Sequence, residues 1–248
     1  MAMRHLMRAA AVAVLLLAPC PAPAAGYPAA SEADWTIQDF RFATGEVLPE
    51  LRVHYATLGN PAGKPVLILH GTGGSGTGML SPGFAGELFG PGQPLDAATH
   101  YIILPDAIGA GRSSKPSDGL RASFPHYGYA DMVAAQHRLV TERLGLKHLY
   151  LVLGNSMGGM ETWVWGTDCP EFMDALVPMA SQPTAMAGRN WMLRRLLIES
   201  IRQDPAYRGG AYEAQPPSLR LANAMFGVAT NGGTLALQAR GTSHSAAD

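Results

Sequence analysis

The chain has little cysteine, almost no net charge and no long apolar run. Its 248 residues include two cysteines, and 15% are charged, with a formal net charge of −1. A disulfide framework is therefore excluded. So weak a charge also argues against nucleic acid as a partner and favours small molecules. With 47% hydrophobic residues, the composition is that of a globular chain long enough for one domain with a sizeable core.

The N-terminus has the organisation of an export signal. Arg4 and Arg8 precede an apolar stretch, 9–18, and the segment 22–24 (Ala-Pro-Ala) follows as an A-x-A-like cleavage site. The apolar stretch is much shorter than the roughly 20 residues that a membrane-spanning helix needs. We therefore expect residues 1–24 to be a signal peptide. The mature protein would be periplasmic or secreted, without stable insertion into a membrane.

Apolar runs alternate with amphipathic stretches along the rest of the chain. Continuous apolar runs lie within 64–78, 99–114, 149–153 and 174–181, and such runs are typical of strands covered on both faces. The segment 128–148 repeats its apolar residues at close to the 3.6-residue period of a helix. Strands that alternate with helices predict an α/β fold with a mostly parallel sheet.

These patterns divide the chain into five parts. Residues after 182 turn helical in pattern, and the last residues are polar and without a strand pattern. The predicted parts are the signal peptide 1–24, a loose linker 25–34, an α/β core 35–182, a helical cap region 183–235 and a disordered tail 236–248.

A glycine-flanked serine follows the third of the buried strands. Gly154, Asn155, Ser156, Met157 and Gly158 match the pattern G-x-S-x-G, with a predicted strand before and a helix after. A nucleophile elbow needs this context, because small residues let the backbone make a sharp turn that exposes the serine hydroxyl. The sequence therefore predicts a catalytic serine, and the alternative is a turn with no chemistry.

A second glycine-rich segment, 70–74 (His-Gly-Thr-Gly-Gly), closes an earlier buried strand. A tetrahedral oxyanion needs two preorganised backbone N–H donors. We expect them to be the amide of Met157 and that of Thr72 or Gly73. The alternative is a plain turn between strand and helix, and His70 is expected to be a structural residue of the loop rather than a base.

Four segments resemble, in order and spacing, signature segments of the homoserine O-acetyltransferase branch of the α/β-hydrolase superfamily. They are 42–60, 90–103, 124–146 and 153–177. The similarity runs from about 35 to 181 and weakly to about 212. It implies the α/β-hydrolase fold, a serine nucleophile at Ser156, an acyl-enzyme intermediate and helices that cover the site. It also implies an acyl ester or acyl donor as the partner, with no cofactor and no metal.

Two loops depart from the acetyltransferase pattern. The segment 106–113 reads D-x-x-G-x-G-x-S, which resembles the loop of general hydrolases more closely. In acetyltransferases of this family, an arginine of the cap binds the carboxylate of homoserine. In this sequence Asn231 lies near the position where that arginine is expected. An asparagine supplies neither the charge nor the fork of a guanidinium. Homoserine specificity is therefore not expected.

The third departure concerns the rest of the triad. In this fold the order along the chain is serine, acid, histidine, and the histidine takes the proton of the serine. The only histidine after Ser156 is His244, which we expect to be an unstructured terminal residue. No aspartate follows a late core strand; the aspartates after Ser156 are Asp168, Asp174, Asp204 and Asp248. Relative to the family, we expect the last core strands to be missing, as in a C-terminal truncation.

Three functions remain open at this point. The first is an esterase-like acyl hydrolase that uses Ser156 and is impaired by the loss of the acid and the histidine. The second is an O-acyltransferase of the homoserine acetyltransferase type, in which an alcohol replaces water as the acceptor. The third is a catalytically inactive, truncated relative. The sequence does not indicate an oligomeric state.

Overall fold

One six-stranded sheet organises the molecule. The computed structural model describes residues 26–230 and gives the strand order β1-β2-β4-β3-β5-β6. The strands are β1 (Ser31–Arg41), β2 (Val47–Gly59), β3 (Lys64–Leu69), β4 (His100–Pro105), β5 (Leu149–Asn155) and β6 (Met173–Met179). Strands β3, β4, β5 and β6 are mutually parallel, whereas β2 runs antiparallel to both β1 and β4. The predicted α/β fold with a mostly parallel sheet is confirmed.

Helices cover both faces of this sheet. They are α1 (Ala85–Leu88), α2 (Tyr129–Arg138), α3 (Met157–Asp168), α4 (Gly188–Arg202) and α5 (Leu219–Thr230). Because side chains alternate along a strand, Leu67 of β3 packs in the cluster that includes Trp165 of α3, while Ile68 packs with Phe89 beyond α1. All four of these side chains are buried. This two-sided core explains why the sequence of β3 is a continuous apolar run.

The predicted loose linker 25–34 is wrong from Ser31 onwards, because β1 begins there. Its polar side chains have partners on the neighbouring strand. The ring of His54 in β2 is buried and lies between two carboxylates, with Nδ1 at 2.7 Å from Asp34 and Nε2 at 3.0 Å from Glu32. Polar residues that pair across strands in this way resemble a loop in sequence.

Strand β6 lies at the open edge of the sheet. Within residues 26–230 no strand pairs with its outer side. Val177 of β6 is 38% exposed, whereas Val152 of the neighbouring β5 is completely buried. The apolar sequence of β6 is that of a covered strand, but much of this strand faces solvent.

The chain after β6 forms the two long helices α4 and α5. Both lie within the segment 183–235 that the sequence predicts to be helical. No helix in residues 26–230 is long and apolar enough to cross a membrane. The predicted signal peptide 1–24, the end of the predicted cap and the predicted tail 236–248 lie outside the described residues.

Candidate active site

Ser156 lies at a sharp turn between β5 and α3. It is the residue before the first turn of α3, and its backbone has φ 56° and ψ −108°. A residue with a side chain rarely adopts these angles, and holding them costs on the order of 1–3 kcal/mol. Strain of this kind persists only where the surroundings over-determine it. The strained turn is the geometry that the sequence predicts.

The two flanking glycines are required by close packing. A Cβ atom on Gly154 would overlap the carbonyl oxygen of Gly158, and one on Gly158 would overlap the carbonyl oxygen of Leu69 in β3. The amide of Ser156 donates to the carbonyl oxygen of Met179 at the end of β6, at 3.0 Å. Strands on both sides therefore hold the turn.

The glycine-rich loop after β3 lies directly against this turn. A Cβ atom on Gly71 would lie 3.4 Å from the Cβ of Ser156. The amide of Gly158 donates to the carbonyl oxygen of His70 at 3.1 Å, which ties the loop to the first turn of α3. The predicted donor segment 70–74 and the predicted nucleophile are thus neighbours.

A cavity of about 920 Å3 opens at Ser156. Thr72, Ser156 and Met157 line it together with Asn155, so it brings together the predicted nucleophile and two of the three predicted oxyanion donors. Gly73, whose φ is 73°, is not among the lining residues.

His70 is a structural residue of the loop. Its ring is 2% exposed, and both ring nitrogens are engaged. Nδ1 lies 2.8 Å from the carbonyl oxygen of Gly71, and the amide of Ala107 donates to Nε2 at 3.0 Å. Because Nε2 accepts, Nδ1 carries the proton and the imidazole is neutral. No lone pair is left to take a proton from Ser156.

Asp106 has an equally structural position at the start of the segment 106–113. Its buried carboxylate accepts from the amides of Gly76 and Arg112, each at 2.6 Å. It therefore braces the loop after β4 against the loop after β3. This explains the general-hydrolase pattern of the segment without giving Asp106 a role in proton transfer.

Within residues 26–230, the cavity is lined by neither a histidine nor a carboxylate. The carboxylate of Asp174 lies 2.8 Å from Nε2 of His148, and both side chains are exposed to solvent. Asp204 accepts from the amides of Ala206 and Ser218, and Asp168 bonds only with the hydroxyl of Thr167. Predicted positions Asn231, His244 and Asp248 lie outside the described residues.

A buried carboxyl group lies close behind the turn. Glu161 of α3 is 1% exposed and accepts a hydrogen bond from Nε2 of Gln136, whose own oxygen accepts from the indole of Trp165 at 2.9 Å. Burial raises the pKa of Glu161 to about 8, although the bond from Gln136 acts in the opposite direction. Its other oxygen has no partner in the described structure. The protonated, neutral form of the carboxyl therefore predominates at pH 7.

The sequence analysis placed α4 in the predicted cap but named none of its residues as part of the site, and α4 forms one wall of the cavity. Arg189, Asn190, Leu193, Arg194 and Leu197 all line it. The only sequence signal is their spacing, because residues four apart share a helix face. The sequence does not reveal which face of α4 meets the cavity, since both faces carry arginine and apolar residues.

Comparison with known proteins gives one matching family model, described as the alpha/beta hydrolase fold, over residues 64–212. The homoserine O-acetyltransferase of Caulobacter vibrioides is 37% identical over 194 residues, which is 71% of this chain and 50% of that protein. The chain thus spans about half the length of the curated relatives it matches.

Solved structures share the architecture. The acetyl esterase MekB superposes with a TM-score of 0.72 at 26% identity, over 80% of this chain and 59% of that one. A homoserine O-acetyltransferase from Bacillus anthracis superposes with a TM-score of 0.70 at 22% identity, over 80% and 60%. At that identity the second likeness concerns the fold alone.

Proposed function

We propose, on the premise that this chain belongs to the α/β-hydrolase family, that Ser156 is the nucleophile of an acyl-transfer site. The observation that carries the proposal is the backbone of Ser156, held at φ 56° between β5 and α3 at the edge of a cavity. A turn of this kind presents a serine hydroxyl to a bound substrate.

The proposed chemistry begins with attack of the Ser156 hydroxyl oxygen on the carbonyl carbon of an acyl ester. The hydroxyl proton passes to a base, and the carbonyl oxygen becomes an oxyanion. The amides of Met157 and of Thr72, or of Gly73, are the proposed donors to that oxyanion. The base returns the proton to the leaving oxygen as the intermediate collapses, which releases the alcohol and leaves an acyl-serine. Water or a second alcohol then cleaves the acyl-serine.

This scheme requires a base that accepts the proton of Ser156. A serine hydroxyl is a poor nucleophile at neutral pH unless a base activates it. Within residues 26–230 neither a histidine nor a carboxylate lines the cavity. We therefore propose an esterase-like site that transfers acyl groups slowly, with small acyl esters as its partners.

A second acceptor is favoured by one observation, the 37% identity to a homoserine O-acetyltransferase. In that case an alcohol rather than water would cleave the acyl-serine. The two candidates share the acylation step and differ only in the second step.

Turnover of an acetyl ester, measured with and without homoserine, separates these candidates. An esterase releases acetate at the same rate in both cases, whereas an acyltransferase forms O-acetylhomoserine in proportion to acceptor concentration. Mass spectrometry of the products distinguishes the two. Absence of any acyl group on Ser156, in mass spectra of protein taken from both assays, would support the third candidate, an inactive relative.

A further inference from the structure

We propose that one side of the helix pair α4 and α5 docks on an anionic lipid surface. This docking face is defined by the exposed apolar side chains of the two helices, which are Trp191, Met192, Leu196, Ile198, Leu221 and Val228. Docking of this kind is peripheral and needs no membrane-spanning helix. The inference goes beyond the proposed acyl-transfer function and does not depend on it.

The first argument is the concentration of exposed apolar side chains. Within residues 26–230, six of the nine large apolar side chains that are exposed belong to α4 and α5, which pack against each other. Trp191 is 56% exposed, and Val228, which also lines the rim of the cavity, is 73% exposed. Apolar side chains that cluster on a surface mark a site of interaction with a protein or a membrane.

The docking face is distinct from the wall that α4 contributes to the cavity. A second face of this helix is defined by residues at intervals of three or four, namely Trp191, Arg195, Ile198 and Arg202. All four are exposed, and none of them lines the cavity. Apolar and cationic side chains therefore alternate along the outer side of α4.

The second argument is the charge of the two helices. Together α4 and α5 hold five arginines, all exposed, and one acid, Glu199. Because the whole chain has a net charge of −1, the rest of the molecule is acidic. A basic side chain next to an anionic membrane strengthens binding by about fivefold. The protein would therefore meet such a membrane with α4 and α5 foremost.

The arrangement of the charges favours a lipid surface over a protein partner. Glu199 pairs with Arg195 at 2.9 Å and also lies 3.8 Å from Arg202, so two arginines share one carboxylate. A protein partner must hold an acid at a fixed position opposite each remaining cation, whereas anionic headgroups diffuse to the cations. Tryptophan is enriched where membrane meets water, and arginine with apolar side chains is typical of helices that lie on a bilayer.

Binding to vesicles tests the proposal. We would titrate residues 25–248, which lack the predicted signal peptide and its apolar stretch, with vesicles of phosphatidylcholine and with vesicles that also contain phosphatidylglycerol. For the anionic vesicles we expect a partition coefficient of at least about 10⁴ M⁻¹, the value for a single myristoyl chain. Neutral vesicles should bind at least about tenfold more weakly. The preference should decline as salt is added.

Trp191 reports directly on contact with lipid. It is exposed, whereas the other three tryptophans, at 35, 163 and 165, are partly or fully buried. Brominated acyl chains in the anionic vesicles should quench its fluorescence. The Trp191→Phe protein should still bind these vesicles but lose the quenching, because phenylalanine keeps an apolar ring at that position.

Variants of α4 with matched controls identify the surface responsible. Leu196→Ser should weaken binding to anionic vesicles by at least about tenfold, as the return of a leucine side chain to water predicts. Val47→Ser is its control, because Val47 is 40% exposed but lies on β2. Glu199→Gln removes the one acid of the helix pair and should strengthen binding by about fivefold. Glu87→Gln, which removes an exposed acid of α1, should change nothing.

Four results would overturn the proposal: equal binding to neutral and anionic vesicles, no binding to either, no quenching of Trp191, or control variants with effects as large as those in α4. Sedimentation velocity tests a second copy of the chain as the alternative occupant. Dimers that Leu196→Ser dissociates, without binding of the wild type to vesicles, would assign the docking face to self-association. The Ser156→Ala protein should bind vesicles like the wild type, so failure of the proposed function is distinguishable from failure of this inference.

Discussion

The amide of Gly158 donates a hydrogen bond to the carbonyl oxygen of His70, with 3.1 Å between nitrogen and oxygen. This bond joins the first turn of α3 to the loop after β3, and so fixes the proposed nucleophile relative to its proposed oxyanion donors. It forms only because Gly158 has no side chain, since a Cβ atom there would overlap the carbonyl of Leu69.

Gly158→Ala should therefore destabilise the protein. The new methyl group must displace the backbone of β3, and overpacking of this kind costs about 1–3 kcal/mol of unfolding free energy. Urea unfolding measures the difference. Gly83→Ala is the control, because a Cβ atom on Gly83 meets nothing within 4 Å; equal stability of the two variants would contradict the packing argument.

The elbow could be predicted from sequence because its constraint is local. Gly154, Ser156 and Gly158 lie within five positions, and the strand before them is a continuous apolar run. The position of β1 could not be predicted in the same way. Its polar residues at 31–34 become a strand only through pairing with β2, which lies some twenty residues further along the chain.

The stability of the protein between about pH 4.5 and pH 8 should depend on Glu161. Burial raises the pKa of this carboxyl in the folded protein to about 8, from an ordinary value of 4.5. Below the ordinary pKa both states are protonated. As pH rises towards 8, the unfolded chain releases the proton and the folded protein keeps it, so the unfolding free energy falls. Above about pH 8 the decline levels off.

Glu161→Gln should remove this decline, because a glutamine is neutral at every pH and keeps a carbonyl oxygen for Gln136 to bond. Chemical unfolding at pH 5, 7 and 9 measures it. The unfolding free energy of the variant minus that of the wild type should grow with pH up to about 8. A difference that is constant with pH would contradict a raised pKa.

Ester hydrolysis by residues 25–248 should be barely above background. Triad enzymes that lose a catalytic member retain only about 10³–10⁴-fold acceleration over water, from the oxyanion hole and binding. Ser156→Ala and His244→Ala should therefore each change the rate of acetyl-ester hydrolysis little. A large loss in both variants would indicate that His244 reaches Ser156 and acts as its base.

Export is a separate prediction that concerns the N-terminus alone. The charged start, the short apolar stretch and the Ala-Pro-Ala segment at 22–24 predict cleavage close to Gly26. N-terminal sequencing of protein recovered from a Gram-negative host should begin near that residue, in the periplasmic fraction. Recovery of cytosolic protein that still begins at Met1 would contradict the prediction.

The sequence does not indicate which arginines of α4 line the cavity. Arg194 and Arg195 are adjacent in sequence and chemically identical, yet one lines the cavity and the other pairs with Glu199 on the outside. Their difference is set by the rotation of α4 about its axis, which depends on how α4 packs against α5. A local pattern does not carry that information.

The central proposal is that Ser156 is a nucleophile for which residues 26–230 supply no base at the cavity, and labelling with a fluorophosphonate probe in the presence of imidazole tests it most directly. Alone, the protein should label slowly or not at all. Imidazole can enter the cavity and act as the missing base, so it should accelerate labelling of Ser156 by at least about tenfold, since general-base catalysis supplies ~10²–10⁴-fold when the base is positioned. Mass spectrometry should locate the label on Ser156, and the Ser156→Ala protein should remain unlabelled. Rapid labelling without imidazole that His244→Ala abolishes, or no labelling of Ser156 at any imidazole concentration, would contradict the account.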